Sequence, residues 1–270
     1  MNRHDTGEVT FFTFDLLEGI PGMVHAVSTR SGGVSRAPFD SLNLAFHVGD
    51  DPEAVLENRE RFAAAVGFTC DEVVTTRQVH GTTVRLVRQS DRGTGAVEPT
   101  DASWACDALV TDEACVFLMG FSADCPLVML TDAEAGVVAL AHAGWRGAFA
   151  GILPETISVM KTVGAESSRM LAALSPAIGG CCYEVGAELI DALGDERETY
   201  RRFFRPHGDK FLLDLPGLCR RMLISSGLSQ GNIEIAETCT RCNEETFFSY
   251  RAADGATGRC AAVIGRRPQT

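Results

Sequence analysis

Four short apolar runs, Ala108–Thr111, Val116–Phe121, Leu127–Thr131 and Val137–His142, constrain the fold of this chain more than any other feature. Each has strand length, is rich in aliphatic and β-branched residues, and is bounded by Gly, Asp and polar turns. Val116–Phe121 and Val137–Ala141 lack strict apolar–polar alternation, the mark of strands covered on both faces. Together with Val73–Val79 and Thr83–Val87 they are expected to be neighbours in one sheet.

Helical patterns interleave with these runs. Asp50–Gly67 has an acidic start, Pro52 in the first turn, apolar residues at helical spacing and a closing glycine. Phe149–Thr162, Glu184–Leu193 and Leu215–Ser226 read as further helices, and Leu171–Ser175, Phe211–Leu213, Ile233–Ala236 and Cys260–Ile264 as extended segments. No repeat or long linker divides the chain. The pattern predicts a single α/β domain over residues 1–270, layered, with a mixed central sheet flanked by helices. Gln89–Trp104 is expected to be a long, mobile surface loop.

No apolar run reaches the roughly 18 residues of a membrane span, and the first residues lack the basic and apolar regions of a secretory signal. The expectation is a cytoplasmic protein without a membrane partner, its ten cysteines mostly reduced. Cys115 and Cys260 lie in apolar runs and read as small buried hydrophobes. A formal charge of −12 argues against a nucleic-acid partner. Arg201-Arg202 with Arg205, Arg220-Arg221 and Arg266-Arg267 are short clusters that read as solvated faces, although a few arginines suffice to hold a small anion.

Three segments end expected strands with a soft-metal ligand: Arg77-Gln-Val-His80-Gly, Ser122-Ala-Asp-Cys125-Pro and Ala141-His142-Ala-Gly-Trp-Arg146-Gly. Two imidazoles and one thiolate suit a catalytic zinc, which takes three protein ligands and leaves a fourth position open. Gly81, Gly144 and Gly147 permit sharp turns or close approach beside the ligands. Asp124 and Arg146 add polar function at the same strand ends, and Pro126 fixes the chain direction after the thiol. The alternative, in which each histidine satisfies a local hydrogen bond, stands at this point, because spacing does not give distances across strands.

The same segments resemble the signature motifs of the laccase-domain family, also described as peptidoglycan-editing factors or multicopper polyphenol oxidases. The resemblance extends through Thr29-Arg-Ser-Gly-Gly-Val-Ser35, Ser41-Leu-Asn-Leu44, Glu57-Asn-Arg59, Ser175-Pro-Ala-Ile-Gly179, Tyr183-Glu-Val-Gly186, Phe247-Phe-Ser-Tyr-Arg251 and Thr257-Gly-Arg259. It implies an architecture similar to bacterial toxin-like cysteine deamidases, with zinc on His80, Cys125 and His142. It also implies purine nucleoside and phosphate as substrates, through purine nucleoside phosphorylase, methylthioadenosine phosphorylase or adenosine deaminase activity. Arg30, Asn43, Arg59, Asp124, Arg146 and Arg251 are then candidates for lining the pocket. Arginines would pair with phosphate in phosphorolysis, and Asp124 would move a proton in deamination.

Three other readings use the same residues. A copper oxidoreductase needs many histidines, and the chain has six. A cysteine hydrolase would use Cys125 as nucleophile with His142 or His80 as base, which accords with a cell-wall editing role. A structural metal needs a fourth ligand, for which Cys182, Cys242 or His47 are candidates. Cys181-Cys182 is a departure from the sequence expected between the glycine turn and Tyr183. With Cys239-Thr-Arg-Cys242 it would form a second, four-thiolate site, against which the adjacency of the first two cysteines counts.

Overall fold

A computed structural model describes residues 1–98 and 104–268. The chain begins with strands β1 (Asn2–Asp5) and β2 (Thr10–Thr13), one helical turn α1 (Asp15–Glu18), and β3 (Met23–Ser28). An irregular stretch leads to α2 (Pro52–Val66), whose ends follow its sequence. Asp51 accepts a hydrogen bond from the Glu53 amide at 3.0 Å, Pro52 opens the first turn, and Gly67 closes the helix at φ +97°. Next come β4 (Val73–Val74), β5 (Val84–Leu86), β6 (Ala108–Thr111), β7 (Phe117–Ser122), β8 (Leu127–Asp132) and β9 (Val137–His142). Helices α3 (Trp145–Ala150) and α4 (Ile152–Thr162) follow, separated by Gly151 at φ +96°, where the sequence pattern reads a single helix. The remaining elements are β10 (Leu171–Leu174), β11 (Glu184–Val185), α5 (Glu188–Asp191), α6 (Arg197–Tyr200), β12 (Phe204–His207), β13 (Lys210–Leu213), α7 (Leu215–Ser225), β14 (Ile233–Ile235) and β15 (Cys260–Arg266).

The strands do not share one central sheet. They form two six-stranded sheets, ordered β1-β2-β3-β15-β7-β4 and β14-β10-β8-β9-β6-β5, and a small third sheet, β11-β13-β12. Alternate side chains explain the arrangement. Leu118 of β7 and Ala262 and Ile264 of β15 meet Leu127, Met129, Val138 and Leu140 of β8 and β9 in a core between the large sheets. The opposite face of the first sheet, through Phe117, Met119, Phe121 and Val263, packs on Phe62 and Ala63 of α2. The opposite face of the second, through Val128, Leu130, Val137 and Ala139, packs on Ile152, Ile157 and Met160 of α4 and Leu218 and Met222 of α7. The layers run helix, sheet, sheet, helix. Strands buried on both faces are therefore correct, but one cover of each large sheet is the other sheet.

Several expectations need correction. Val73–Val79 is a strand for two residues only, because Thr75 and Arg77 donate instead to the carbonyls of Thr94 and Trp104. Glu184–Leu193 is not a helix: Glu184 and Val185 pair with Leu212 and Phe211, and only Glu188–Asp191 is helical. Residues 89–98 are not free of the body, since the Gly93 amide bonds Val73 at 2.8 Å and Ala96 is buried; residues 99–103 of that expected loop lie outside the described residues. Cys260 is buried as expected, whereas Cys115 is half-buried.

Candidate functional site

The turn between β7 and β8 carries the chain from the first large sheet to the second, and Asp124 and Cys125 lie in it. His142 is the last residue of β9, in register opposite Leu127 of β8. His80 sits in the loop between β4 and β5 with φ +60°. One ligand atom from each of His80, Cys125 and His142 lies within 4.8 Å of the other two. The imidazole centroids are 4.7 Å apart and the rings are nearly perpendicular, at 80°. A loop, a turn and one strand end thus converge at the junction of the two sheets; His80 does not end a strand, since β4 stops at Val74.

Asp107, just before β6, organises the histidines. Its carboxylate accepts hydrogen bonds from the amides of Val79, His80 and Gly81 at 3.2, 2.9 and 2.7 Å, fixing the left-handed backbone of His80. Its Oδ1 also lies 2.9 Å from His142 Nδ1, which directs Nε2 of that ring away from Asp107. Burial raises the Asp107 carboxyl, but its bonds to His142 and the Gly81 and Val79 amides outweigh this and hold it below the usual carboxylate range. Sequence reasoning passed over this residue. The available signal is an acidic residue directly abutting the apolar run Ala108-Leu-Val110.

Gly144 and Gly147 are required by close approach. A Cβ on Gly144 would lie 2.8 Å from His80 Cδ2 and 3.1 Å from Cys125 Sγ, and one on Gly147 would lie 2.8 Å from the Gly81 carbonyl oxygen. Burial opposes ionisation of Cys125, yet hydrogen bonding to His142 and His80 draws the thiol down to about 6. Burial likewise opposes charge on His142, but Asp107 and Cys125 push it up to about 9. Both shifts run toward a thiolate–imidazolium pair in the metal-free site; a metal on both groups would displace the imidazolium proton.

The three residues open into a cavity of about 520 Å³. Arg146, Arg251 and Arg259 supply its positive charge, and Phe121, Trp145, Tyr183 and Tyr250 its aromatic surface. Arg146 is exposed, with its guanidinium 4.4 Å from the Trp145 ring centre. Arg251 lies 5.2 Å from the Tyr183 ring centre and donates from Nη1 to the Glu184 carbonyl at 2.9 Å. His47, Gln78, Tyr183, Tyr250 and Arg259 join the lining, and all but His47 fall inside the motifs quoted above.

The other expected pocket residues divide. Asp124 lines the cavity, but both its oxygens are engaged: Thr240 Oγ1 donates to one at 2.5 Å and the Arg251 amide to the other at 2.7 Å. Arg30, Asn43 and Arg59 do not line it. Arg30 binds the carbonyls of Asp40 and Glu244. Asn43 is buried and holds the Ala45 and Arg259 amides, at 3.2 and 2.9 Å. Arg59 is buried between the Phe46 and Phe121 rings and donates to the carbonyls of Leu44, Gly95 and Ala96; burial draws its pKa down to about 9.

A second cluster among the described residues could hold a metal: Cys181, Cys182, Cys239 and Cys242, with ligand atoms within 4.8 Å of one another. Neither cluster contains more than two histidines.

The sequence matches the family described as multi-copper polyphenol oxidoreductase laccase over residues 24–267. It is 39% identical over 251 residues to the Geobacillus stearothermophilus protein named purine nucleoside phosphorylase YlmD, covering 92% of each chain. It is 41% identical over 243 residues to the Escherichia coli protein named purine nucleoside phosphorylase YfiH, covering 90% of this chain and 93% of that one. The crystal structure of YlmD from G. stearothermophilus aligns with a TM-score of 0.91 at 36% identity over 98% of both chains. That of the Bacillus licheniformis hypothetical protein YfiH aligns with a TM-score of 0.87 at 32% identity, over 91% of this chain and 93% of that one. Agreement in sequence and structure across nearly the whole length makes this chain a member of the multi-copper polyphenol oxidoreductase laccase family.

Proposed function

We propose that the chain is a zinc-dependent purine nucleoside phosphorylase acting on adenosine, inosine or methylthioadenosine, with deamination of adenosine as a further reaction of the same site. The observation that carries this reading is the convergence of His80, Cys125 and His142 on a cavity rimmed by arginines and aromatic rings. The names of relatives at 39% and 41% identity support the reaction class.

Two imidazoles and a thiolate fit zinc, and three protein ligands facing a cavity leave a position for substrate or water. Zinc held there would supply Lewis acidity to a phosphate oxygen or to water. Only two histidines in the cluster disfavour a multicopper centre.

In phosphorolysis a phosphate oxygen bonds to the ribose anomeric carbon as the bond from that carbon to the purine nitrogen breaks, leaving ribose 1-phosphate and free base. Arg146, Arg251 and Arg259 offer charge to the phosphate, and bidentate guanidinium contacts would orient it. Trp145, Tyr183 and Tyr250 offer faces for the base. Burial, then the nearby Arg259, lowers the His47 pKa and keeps its imidazole neutral at pH 7, suited to hydrogen-bonding ribose or base. Asp124 holds the Cys125 turn against the Arg251 segment, while Arg30, Asn43 and Arg59 act at one remove by shaping the loops behind the cavity.

The test is incubation of zinc-loaded protein with inosine or adenosine, with and without phosphate. Phosphate-dependent release of base and ribose 1-phosphate is expected, with ammonia from adenosine reporting the second reaction. Zinc-loaded protein that yields no base with phosphate would overturn the phosphorylase reading.

One observation favours a second reading. Asp107, His142 and Cys125 form a carboxylate–imidazole–thiolate series, the arrangement of a cysteine hydrolase. Zinc on the thiolate would block such a nucleophile, so amidase activity that appears on chelation identifies this alternative.

A further inference from the structure

We propose that Cys181, Cys182, Cys239 and Cys242 bind a structural zinc ion as an all-thiolate tetrahedron, clasping two turns behind the candidate active site. The inference is independent of the proposed activity.

The geometry suits the ion. Zinc–sulfur bonds of about 2.3 Å in a tetrahedron set sulfur–sulfur edges of about 3.8 Å. Sγ of Cys242 lies 3.7 Å from that of Cys181 and 3.4 Å from that of Cys182, and all four sulfurs fall within 4.8 Å of one another. These spacings exceed the roughly 2.05 Å of a disulfide. Adjacency of Cys181 and Cys182 is accommodated because the chain turns there: the amides of Cys182 and Tyr183 both bond the Gly179 carbonyl at 2.9 Å.

The surroundings suit it as well. The Gly179 amide donates to Cys239 Sγ at 3.3 Å, a bond that favours thiolate over thiol. Four thiolates around a divalent cation leave two negative charges. Arg202, Arg220 and Arg221 line a cavity of about 590 Å³ that Cys181 and Cys239 also line. Arg220 and Arg221 each bury an Nε with no hydrogen-bond partner among the described residues. Cationic groups placed there offset the charge of the metal cluster. Binding displaces a proton from each protonated thiol and changes no oxidation state.

The clasp touches the active site from both of its turns: the Ile178 amide bonds the Asp124 carbonyl at 2.8 Å, and Tyr183, next to Cys182, lines the cavity. Thr240, between two of the cysteines, bonds Asp124 beside Cys125, and its amide bonds the Ala177 carbonyl at 3.0 Å.

The experiment is metal analysis and zinc X-ray absorption on full-length protein purified under reductant, comparing wild type, H80A/H142A and C181S/C242S. H80A/H142A, lacking the His–Cys–His set, is expected to retain one zinc per chain with an all-sulfur shell at about 2.3 Å. C181S/C242S, altered only at exposed positions, is expected to hold one zinc fewer than wild type. A folded H80A/H142A without zinc, or with nitrogen or oxygen in the shell, overturns the proposal. So does a protein mass two hydrogens short with the bridge mapped to this cluster. If H80A/H142A does not fold, equal zinc content in wild type and C181S/C242S overturns it.

Discussion

Asp107 Oδ1 stands 2.9 Å from His142 Nδ1 while the same carboxylate receives the His80 amide, so one buried acid fixes both histidines of the candidate site. Replacing it should disturb metal binding although it is not itself one of the three candidate ligands. D107A is expected to weaken zinc affinity about 10- to 100-fold, measured by competition with a chromophoric chelator. An affinity within a factor of two of wild type would remove Asp107 from this role.

Metal-free Cys125 should behave as a low-pKa thiol. Its thiolate forms at about pH 6, so iodoacetamide labelling at Cys125 is expected to be well advanced at pH 7, where an ordinary thiol remains mostly protonated. H142A should slow that labelling roughly tenfold or more, and zinc should suppress it in wild type. Peptide mass spectrometry reads each arm.

Gly144 is predicted to tolerate no side chain without loss of the site. The methyl of G144A would press on the His80 ring and Cys125 sulfur, costing about 1–3 kcal/mol in overpacking and spoiling the ligand spacing. Zinc content should fall while the circular dichroism spectrum stays that of wild type.

The arginines should separate by role. R146A removes an exposed guanidinium from the cavity rim, so its expected effect is a raised KM for phosphate, by about 10-fold or more, with unfolding unchanged. R59A instead leaves the carbonyls of Leu44, Gly95 and Ala96 without their donor and should lower the urea midpoint. Steady-state kinetics paired with denaturation on both variants checks the division.

Acid should weaken the fold through His25. Its Nε2 accepts the Phe14 amide at 2.8 Å, and burial draws its pKa from 6.5 down to about 4. The folded state keeps the ring neutral, so the unfolded chain binds more protons between those values and stability falls as pH drops through that window. The loss between pH 7 and 5 should be about 2 kcal/mol, and H25Q should flatten this part of the profile in urea titrations.

The three candidate ligands were legible because each sits in a short run of unusual chemistry: His80 before glycine, Cys125 before proline, His142 before Ala-Gly-Trp-Arg. Strand identity was legible for β6 to β9, whose apolar runs are compact. The division into two sheets was not, because a strand facing a second sheet and one facing a helix carry the same apolar residues. Asp107 escaped notice for a related reason: besides His142, its partners are backbone amides 26 to 28 residues away, and backbone donors leave no mark in a sequence. Arg30, Asn43 and Arg59 were drawn to the pocket by motif membership, yet their hydrogen bonds serve carbonyls and amides of the scaffold.

The register of β8 against β9 has a consequence for any metal that the candidate site would hold. Leu127 lies opposite His142, and Cys125 precedes Leu127 by two residues across Pro126, so the span between sulfur and imidazole is set by a continuous ladder that reaches Asp132 opposite Val137. That pair works as a fixed jaw. His80, carried on a loop and exposed, has no such ladder; its distance from the jaw is set by the amide bonds to Asp107, on which the fit of a bound ion would depend.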